Sequence, residues 1–177
     1  MRKFFIGALA CLFAMMSTVA AAGEYVPYVG VGGLLTKLES DDGSFSDYAV
    51  GYKVLGGLMW LSEQGDGFGA EVQYSDSLDA ESGNVDVSID GFTVYGTWTA
   101  KPWVYWDASA KIGMTFQDAS ASPGFGSRSD DGLAVAGIVR RWVGSVGVGI
   151  GAEWYNTNFS GALKEPWRAE LTVEYRF

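Results

Sequence analysis

The sequence lacks the residues on which most enzyme and metal sites depend. It contains no histidine and one cysteine, Cys11, among its 177 residues. Without histidine, general base catalysis near neutral pH would require a carboxylate or lysine with a strongly shifted pKa, and a transition metal would lose its commonest ligands. We therefore predict no catalytic residue, no metal site and no cofactor. Glu153, Glu170 and Asp107 are the carboxylates that a catalytic alternative would have to use.

Long apolar runs are missing after residue 22. The most hydrophobic stretch there, residues 132–152, is interrupted by Arg140 and Arg141 and contains many glycines. A transmembrane helix needs about 20 consecutive, mostly apolar residues. If this part of the chain crosses a membrane, we expect it to cross as strands.

The first 22 residues have a different character. Arg2 and Lys3 precede an apolar run over residues 4–16, and small residues at 17–22 provide a cleavage site at Ala20-x-Ala22. This pattern is typical of a secretory signal peptide, so we predict a signal peptide over 1–22 and one mature domain over 23–177. The alternatives are an uncleaved anchor and lipid attachment at Cys11. Cleavage would remove the only cysteine and leave the domain without disulfides.

Basic residues are scarce. The chain has 12 Lys and Arg against 21 Asp and Glu, and loss of Arg2 and Lys3 would leave a net charge of 10 − 21 = −11. Such a charge disfavours polyanions, so we predict no nucleic-acid partner. One hypothesis is that Asp41 and Asp42, or Asp130 and Asp131, hold Ca²⁺ or Mg²⁺ against the phosphate groups of a partner, because hard cations take oxygen ligands. The simpler interpretation of these residues is solvated surface charge.

The dominant pattern that is present is alternation with period two. Residues 167–177 place apolar side chains at every odd position and Arg, Glu or Thr at every even one. About eight such segments recur, separated by Gly, Asp, Ser, Asn and Pro clusters, which predicts eight antiparallel strands. The apolar phase changes near Gly91, where we expect a bulge. Residues 133–143 fit neither phase, because each leaves Arg140 or Arg141 on the apolar side.

The connections between these segments alternate in length. Residues 36–47, 76–84, 117–131 and 156–165 form long gaps, whereas 61–67, 100–102 and 143–145 form short ones. Bacterial outer-membrane barrels show long outer loops, short periplasmic turns and aromatic girdles at both membrane interfaces. We predict both termini in the periplasm and an aromatic girdle at each membrane interface. Trp60, Trp98, Trp103 and Trp142 belong to the girdle near the short turns, and Trp154 and Trp167 belong to the girdle near the long loops.

Alternation alone leaves open which face points outward. A soluble barrel would hide the apolar face inside. The apolar faces here carry bulky aromatics at strand ends, and the polar faces carry glycine and charges of both signs, which fits a narrow interior. We therefore predict lipid around the apolar face. The predicted interior charge network consists of Lys53, Glu71, Asp107, Lys111, Glu153, Arg168, Glu170, Glu174 and Arg176. A hairpin centred on Ser160 and Gly161 would make Glu153 and Arg168 direct neighbours that pair.

The chain resembles the small outer-membrane β-barrel family typified by the OmpA transmembrane domain and OmpX. The resemblance covers residues 23–177, together with the preceding signal sequence and the closing Val173-Glu174-Tyr175-Arg176-Phe177. It implies an eight-stranded up-and-down transmembrane barrel in the outer membrane of a Gram-negative cell. It also implies that the barrel-assembly machinery reads Val173, Tyr175 and Phe177.

The function implied by the resemblance is a non-catalytic structural or surface-interaction role. The expected partners are outer-membrane lipid, lipopolysaccharide and, during biogenesis, the assembly machinery, with the protein a monomer. Two alternatives stay open. The interior charges could line a narrow passive channel, or the barrel could be a lipid-modifying enzyme, although such outer-membrane enzymes rely on the histidine that this chain lacks.

Overall fold

The protein is described by a computed structural model. It describes residues 23–39, 46–82, 85–122, 126–157, 159 and 166–177, so the predicted signal peptide and Asp41 and Asp42 lie outside the described residues. Eight antiparallel strands close into one barrel in simple sequence order. They are β1 (Gly23–Glu39), β2 (Ser46–Ser62), β3 (Gly67–Ser82), β4 (Val85–Trp103), β5 (Trp106–Ser122), β6 (Gly126–Val143), β7 (Val146–Asn156) and β8 (Trp167–Arg176). The predicted fold is confirmed.

The register of the ladders defines the shear of the barrel. From Met59 on β2, the cross-strand partners are in turn Gly69, Thr97, Lys111, Ala136, Glu153, Arg168, Thr36 and finally Ala49, again on β2. The path returns 59 − 49 = 10 residues along the same strand. Eight staggered strands tilt by roughly 35–45° and leave an interior that side chains can fill.

The apolar face of each strand points outward. Leu171 and Ile150 are 56% and 66% exposed, whereas Arg168 and Glu170 on the opposite face are buried. Val29 and Val31 on β1 also face out. The predicted orientation is therefore confirmed, and the apolar outer surface is the one that a bilayer would cover. Among the residues described, no helix is long and apolar enough to cross a membrane.

Six of the strands are longer than a membrane crossing requires. β1 to β6 contain 16 to 19 residues, whereas β7 and β8 contain 11 and 10. A tilted transmembrane strand needs about 9–11 residues. The extra length lies at the end that carries the β7–β8 connection, here called the loop end. The opposite end, where Gly23 and Phe177 lie, is called the termini end.

These extensions correct two predicted loops. Much of 76–84 and 117–131 is strand, so Asp76, Asp118, Asp130 and Asp131 lie on β3, β5 and β6. The prediction was wrong because the apolar and polar faces exchange sides in the extended strands. There, Asp90 and Asp118 lie on the outer face, while Val87 and Ile89 are buried inside. This reversal also explains the change of phase near Gly91. The β4–β5 ladder runs unbroken from Asp86 to Ala100, and the nearest irregularity lies on the neighbouring strand, between Ser77 and Ala80 of β3. The predicted bulge at Gly91 is therefore wrong.

The short turns lie at the termini end and are tight. The first occupies residues 63–66, and Gly65 has a φ of 87°, a conformation that favours glycine. The second is at Val104 and Tyr105, later than predicted, because β4 continues through an irregularity between Ala100 and Trp103. That irregularity removes Pro102 from the regular ladder, which proline cannot join as a donor.

Candidate functional site: the charged lumen

The lumen of the barrel is filled by charged and aromatic side chains. All nine residues of the predicted charge network face inward; eight are buried, and the side chain of Arg176 is 19% exposed. The structure adds Arg140, which is also fully buried. The nine predicted residues and Arg140 together comprise five basic and five acidic side chains, so the charges of these ten residues balance. Buried charges need such partners because an unpaired ion in an apolar interior is costly.

At the termini end of the lumen, several polar side chains gather around Asp107. Its carboxylate accepts hydrogen bonds from Arg140 Nη1 at 3.1 Å, from Trp142 Nε1 at 2.7 Å and from Arg176 Nη2 at 2.6 Å. Arg140 Nε also donates to Glu174 at 3.1 Å. The Arg176 guanidinium lies 3.6 Å from the centre of the Trp142 ring, a close cation–π contact. We call these five residues the Asp107 cluster.

A second ion pair crosses the middle of the lumen. Lys111 Nζ on β5 lies 2.8 Å and 3.0 Å from the two carboxylate oxygens of Glu71 on β3. The Tyr28 hydroxyl donates to the same carboxylate at 2.9 Å. The side chain of Tyr95 is fully buried, and its ring centre lies 5.8 Å from Lys111 Nζ.

The third group is centred on Lys53 of β2. Lys53 Nζ pairs with Glu153 of β7 at 3.0 Å, also pairs with Glu170 of β8, and donates to Gln73 at 3.1 Å. Because these contacts span the lumen, Lys53 links strands that are not neighbours in the barrel. We call Lys53, Gln73, Glu153, Tyr155 and Glu170 the Lys53 cluster.

Glu153 and Arg168 are direct partners in the β7–β8 ladder, as predicted. Their expected ion pair is replaced by a shared tyrosine. The Tyr155 hydroxyl donates to Glu153 Oε2 at 2.5 Å and accepts from Arg168 Nη1 at 3.4 Å. Arg168 Nη1 also donates to Ser75 Oγ on β3 at 2.7 Å. Its guanidinium lies 4.7 Å from the centre of the Tyr155 ring, which adds a cation–π contact.

Arg140 and Arg141 have opposite orientations. Arg140 points into the lumen, and Arg141 lies on the outer face, 5.9 Å from the ring centre of Trp106 near the termini end. The partners of Arg140 and Trp142 on β7 are Gly149 and Gly147. A Cβ at either glycine would lie within 3 Å of the opposing Arg140 or Trp142 side chain. The glycines therefore provide the space in which these two large side chains point inward.

The prediction that Trp142 belongs to the girdle is wrong. It is only 8% exposed and belongs to the Asp107 cluster, whereas Trp98 is 60% exposed. Trp103, Trp154 and Trp167 also face outward, and Trp60 is half-buried on the outer face with its ring centre 5.2 Å from that of Phe68. Val173, Tyr175 and Phe177, the predicted assembly signal, are exposed on the outer face.

Sequence reasoning missed the interior tyrosines as well as Arg140. Tyr155 lies two residues after Glu153, and Tyr95 two residues after the inward Thr93, so strict alternation places both inside. They were missed because aromatic residues were assigned to the lipid side. In a narrow lumen, a tyrosine can face inward when its hydroxyl finds a polar partner.

Comparison with known proteins bears on the fold. The structure resembles Ail, the attachment invasion locus protein of Yersinia pestis, with a TM-score of 0.64 and 16% identity over 89% of this chain and 100% of that one. It also resembles neisserial surface protein A, with a TM-score of 0.61 and 15% identity over 85% and 95% of the two chains. This chain has the fold of the small outer-membrane β-barrels.

OprG from Pseudomonas aeruginosa shares this fold, with a TM-score of 0.59 and 11% identity over 88% of this chain and 96% of that one. No family model and no curated protein matches the sequence. The barrel fold is therefore shared with these proteins although only 11–16% of the aligned residues are identical.

Proposed function

We propose that this protein is an integral outer-membrane barrel whose lumen is closed by its own side chains, and that it serves a structural or surface-interaction role in the envelope. The observation that carries the proposal is the balanced set of ten interior charges joined across the lumen by Lys53, Lys111 and Arg140. A conducting pore would need mobile water and ions where these side chains pair with one another.

The interior carboxylates have structural partners. Glu71 accepts from Lys111 and Tyr28, Glu153 from Lys53, and Asp107 from two arginines and Trp142. A general base has to be free to take a proton from a substrate. We therefore assign these groups to closing the barrel and propose no catalytic activity.

Planar-bilayer recording of the purified, refolded protein tests the closed lumen. We expect no steady single-channel current. The Lys37→Met variant is a matched control, because Lys37 pairs with Glu39 at 3.0 Å outside the lumen and its loss leaves the interior unchanged. A steady current from the parent protein would reject the proposal in favour of a small passive channel.

The loop end is proposed to face the outside of the cell, with both termini in the periplasm. Its outer face carries Asp76, Asp90 and Asp118 as consecutive cross-strand partners, here called the acidic row. Such a surface suits a basic protein partner and disfavours polyanions. Ail of Yersinia pestis has been solved with the heparin analogue sucrose octasulfate. The acidic row has the wrong sign for a ligand of that charge.

Cysteine labelling on intact cells tests this orientation. Ser120 lies on the exposed outer face near the acidic row, and Glu63 lies in the β2–β3 turn. The sequence has no cysteine after Cys11, so single substitutions give clean sites. We expect a membrane-impermeant maleimide to label Ser120→Cys on intact cells and Glu63→Cys only after the outer membrane is permeabilised. The reverse pattern would overturn the orientation.

A further inference from the structure

The loop end of the barrel contains an apolar core. Leu38, Ala49, Val87, Ile89 and Ala119 are buried there in one cluster with Phe159. The outer face of the same strand segments carries Ser88, Asp90 and Asp118. This part of the barrel is therefore apolar inside and polar outside, like a water-soluble barrel and unlike the membrane-spanning part.

Phe159 comes from the β7–β8 connection and not from a strand. β7 ends at Asn156, and the β6–β7 ladder reaches only as far as the Leu133–Asn156 pair. β6 itself begins at Gly126, so its first residues extend beyond that ladder. Phe159 is held beside this extension: its N–H donates to Asp130 Oδ2 at 3.0 Å, and its carbonyl accepts from Arg128 Nη1 at 3.2 Å.

The conformation of Phe159 is costly. Its φ of 32° lies in the left-handed region, which bulky residues rarely adopt. The side chain is nevertheless only 1% exposed. A strained backbone persists only where surrounding contacts over-determine it, and such positions cluster at functional sites. Here the contacts are the two hydrogen bonds to β6 and the burial of the ring in the apolar core.

A polar layer lies directly below this core. Thr36 and Gln117 each precede a core residue, Leu38 and Ala119, by two positions on the same strand, and Thr157 precedes Phe159 by two. All three side chains are buried. The hydroxyl groups of Thr36 and Thr157 and both side-chain amide atoms of Gln117 lack a hydrogen-bond partner among the described residues. Within the same ranges, Nε and Nη2 of Arg168, the ladder partner of Thr36, are also unpartnered. Buried groups of this kind are commonly satisfied by ordered water.

We propose that Phe159 is a stopper that seals this polar layer from the outside, so that the lumen has two closures. One is the charged lumen described above; the other is the apolar core completed by Phe159. The inference extends the proposed function, since it adds a second barrier to a lumen that is proposed to be closed. The stopper acts at the loop end, and the charged clusters act below it.

Accessibility of single cysteines in the refolded, detergent-solubilised protein tests the stopper. Ala119→Cys reports on the apolar core, and Ala136→Cys, between Lys111 and Glu153 in the ladders, reports on the charged lumen. Ser120→Cys is the exposed control. Each of the three cysteine substitutions is made in the parent protein and in the Phe159→Ala and Phe159→Leu variants. Gel heat-modifiability first shows that each barrel is folded, and the protein is then reacted with a charged maleimide.

We expect Phe159→Ala to accelerate labelling of Ala119→Cys by at least about tenfold, since the closed state loses the burial of a large apolar side chain. Phe159→Leu should restore most of the protection. Ser120→Cys should react equally in all backgrounds, and Ala136→Cys should stay protected. Equal labelling of Ala119→Cys in the parent and Phe159→Ala backgrounds would overturn the stopper, and accelerated labelling of Ala136→Cys would overturn the two separate closures. No current is measured, so a failure here is distinct from a failure of the non-conducting role.

Discussion

Glu153 and Arg168 face each other across the β7–β8 ladder, yet both bind the hydroxyl of Tyr155. Gln73 Nε2 donates to the same hydroxyl at 3.2 Å. One phenol therefore connects the Lys53 cluster to Arg168, and through Arg168 to Ser75 on the far side of the lumen. The tyrosine converts an expected ion pair into a network that joins β3, β7 and β8.

Removing that hydroxyl should weaken the barrel. We expect Tyr155→Phe to lower the free energy of unfolding by about 1–3 kcal/mol, because buried groups of Glu153, Gln73 and Arg168 lose a partner. Urea titration of the protein in lipid vesicles measures the change. Tyr175→Phe is the control, since Tyr175 lies on the exposed outer face. Equal effects of the two substitutions would show that the Tyr155 hydroxyl is not a structural link.

We expect the stability of the barrel to depend strongly on the charge balance within the Lys53 cluster. Lys53→Met leaves Glu153 and Glu170 buried without their shared cation, and breaking a buried pair in this way costs about 3–5 kcal/mol. We expect the triple variant Lys53→Met, Glu153→Gln, Glu170→Gln to recover much of this loss. Lys37→Met, which breaks the exposed pair with Glu39, should change stability by less than about 1 kcal/mol. A triple variant no more stable than Lys53→Met would contradict the charge-balance explanation.

The inward position of Trp142 can be tested by fluorescence. Single-tryptophan variants that retain either Trp142 or Trp98 are refolded into vesicles containing brominated phospholipid. We expect Trp98 emission to be quenched by the brominated chains, because its ring is exposed on the outer face, and Trp142 emission to be largely unaffected. Strong quenching of Trp142 would return it to the lipid-facing girdle and disconnect it from Asp107.

The architecture follows from the sequence because period-two alternation leaves few options. Eight alternating segments, charges of both signs on one face and bulky aromatics on the other predicted the strand count, the order and the outward face. The Glu153–Arg168 register also followed, since a symmetric hairpin allows only that pairing. Each of these features depends on neighbours along the chain or in the next strand.

What the sequence did not predict depends on contacts across the lumen. Arg140 and Trp142 point inward because Gly149 and Gly147 on the next strand leave them space, a relation that β6 alone does not reveal. The buried Val87 and Ile89 belong to a second environment above the membrane-spanning part, where the rule for which side is apolar reverses. Assuming that the apolar side chains of β4 face outward along its whole length therefore required a bulge, which the strand does not have.

The acidic row predicts a dependence of stability on pH. Asp90 lies beyond the aromatic pair Phe92 and Phe116, outside the membrane-spanning part of β4, and partial burial together with Asp118 and Asp76 raises its pKa above the ordinary value of 3.8. Because the folded protein favours the protonated carboxyl, Asp90 contributes to stability fully below pH 3.8. This contribution is lost as the pH rises through the raised pKa and the carboxyl becomes charged. At neutral pH, Asp90→Asn should therefore raise the unfolding temperature.

Measuring gel heat-modifiability against temperature at several pH values checks this prediction. The advantage of Asp90→Asn over the parent should shrink as the pH falls through the raised pKa of Asp90, because the parent carboxyl then becomes neutral. Asp118→Asn should shift stability in the same direction by removing a like charge. An Asp90→Asn protein less stable than the parent at neutral pH would show that the carboxylate is stabilising.

Phe177 allows assembly to be separated from stability. Its ring packs edge-on against Tyr175 at 5.1 Å, and its N–H donates to the carbonyl of Pro27 at 3.1 Å. We expect Phe177→Ala to refold in vitro with a stability change within about 0.5 kcal/mol, as for surface substitutions, while its amount in the outer membrane of cells falls. Trp103→Ala, another exposed aromatic at the termini end, is the control. Normal cellular levels of Phe177→Ala would reject the assembly role.

The ten-residue offset by which the ladder path returns to β2 has a consequence for how such a barrel can diverge. Strand number and offset together determine the circumference, and neither changes when a side chain is replaced. Substitutions of inward-facing residues can change which side chains fill the lumen, but they cannot increase the circumference of the barrel. A relative with a wider barrel would need an additional hairpin or a larger offset, whereas one with a new surface specificity would need changes only in the residues at the loop end.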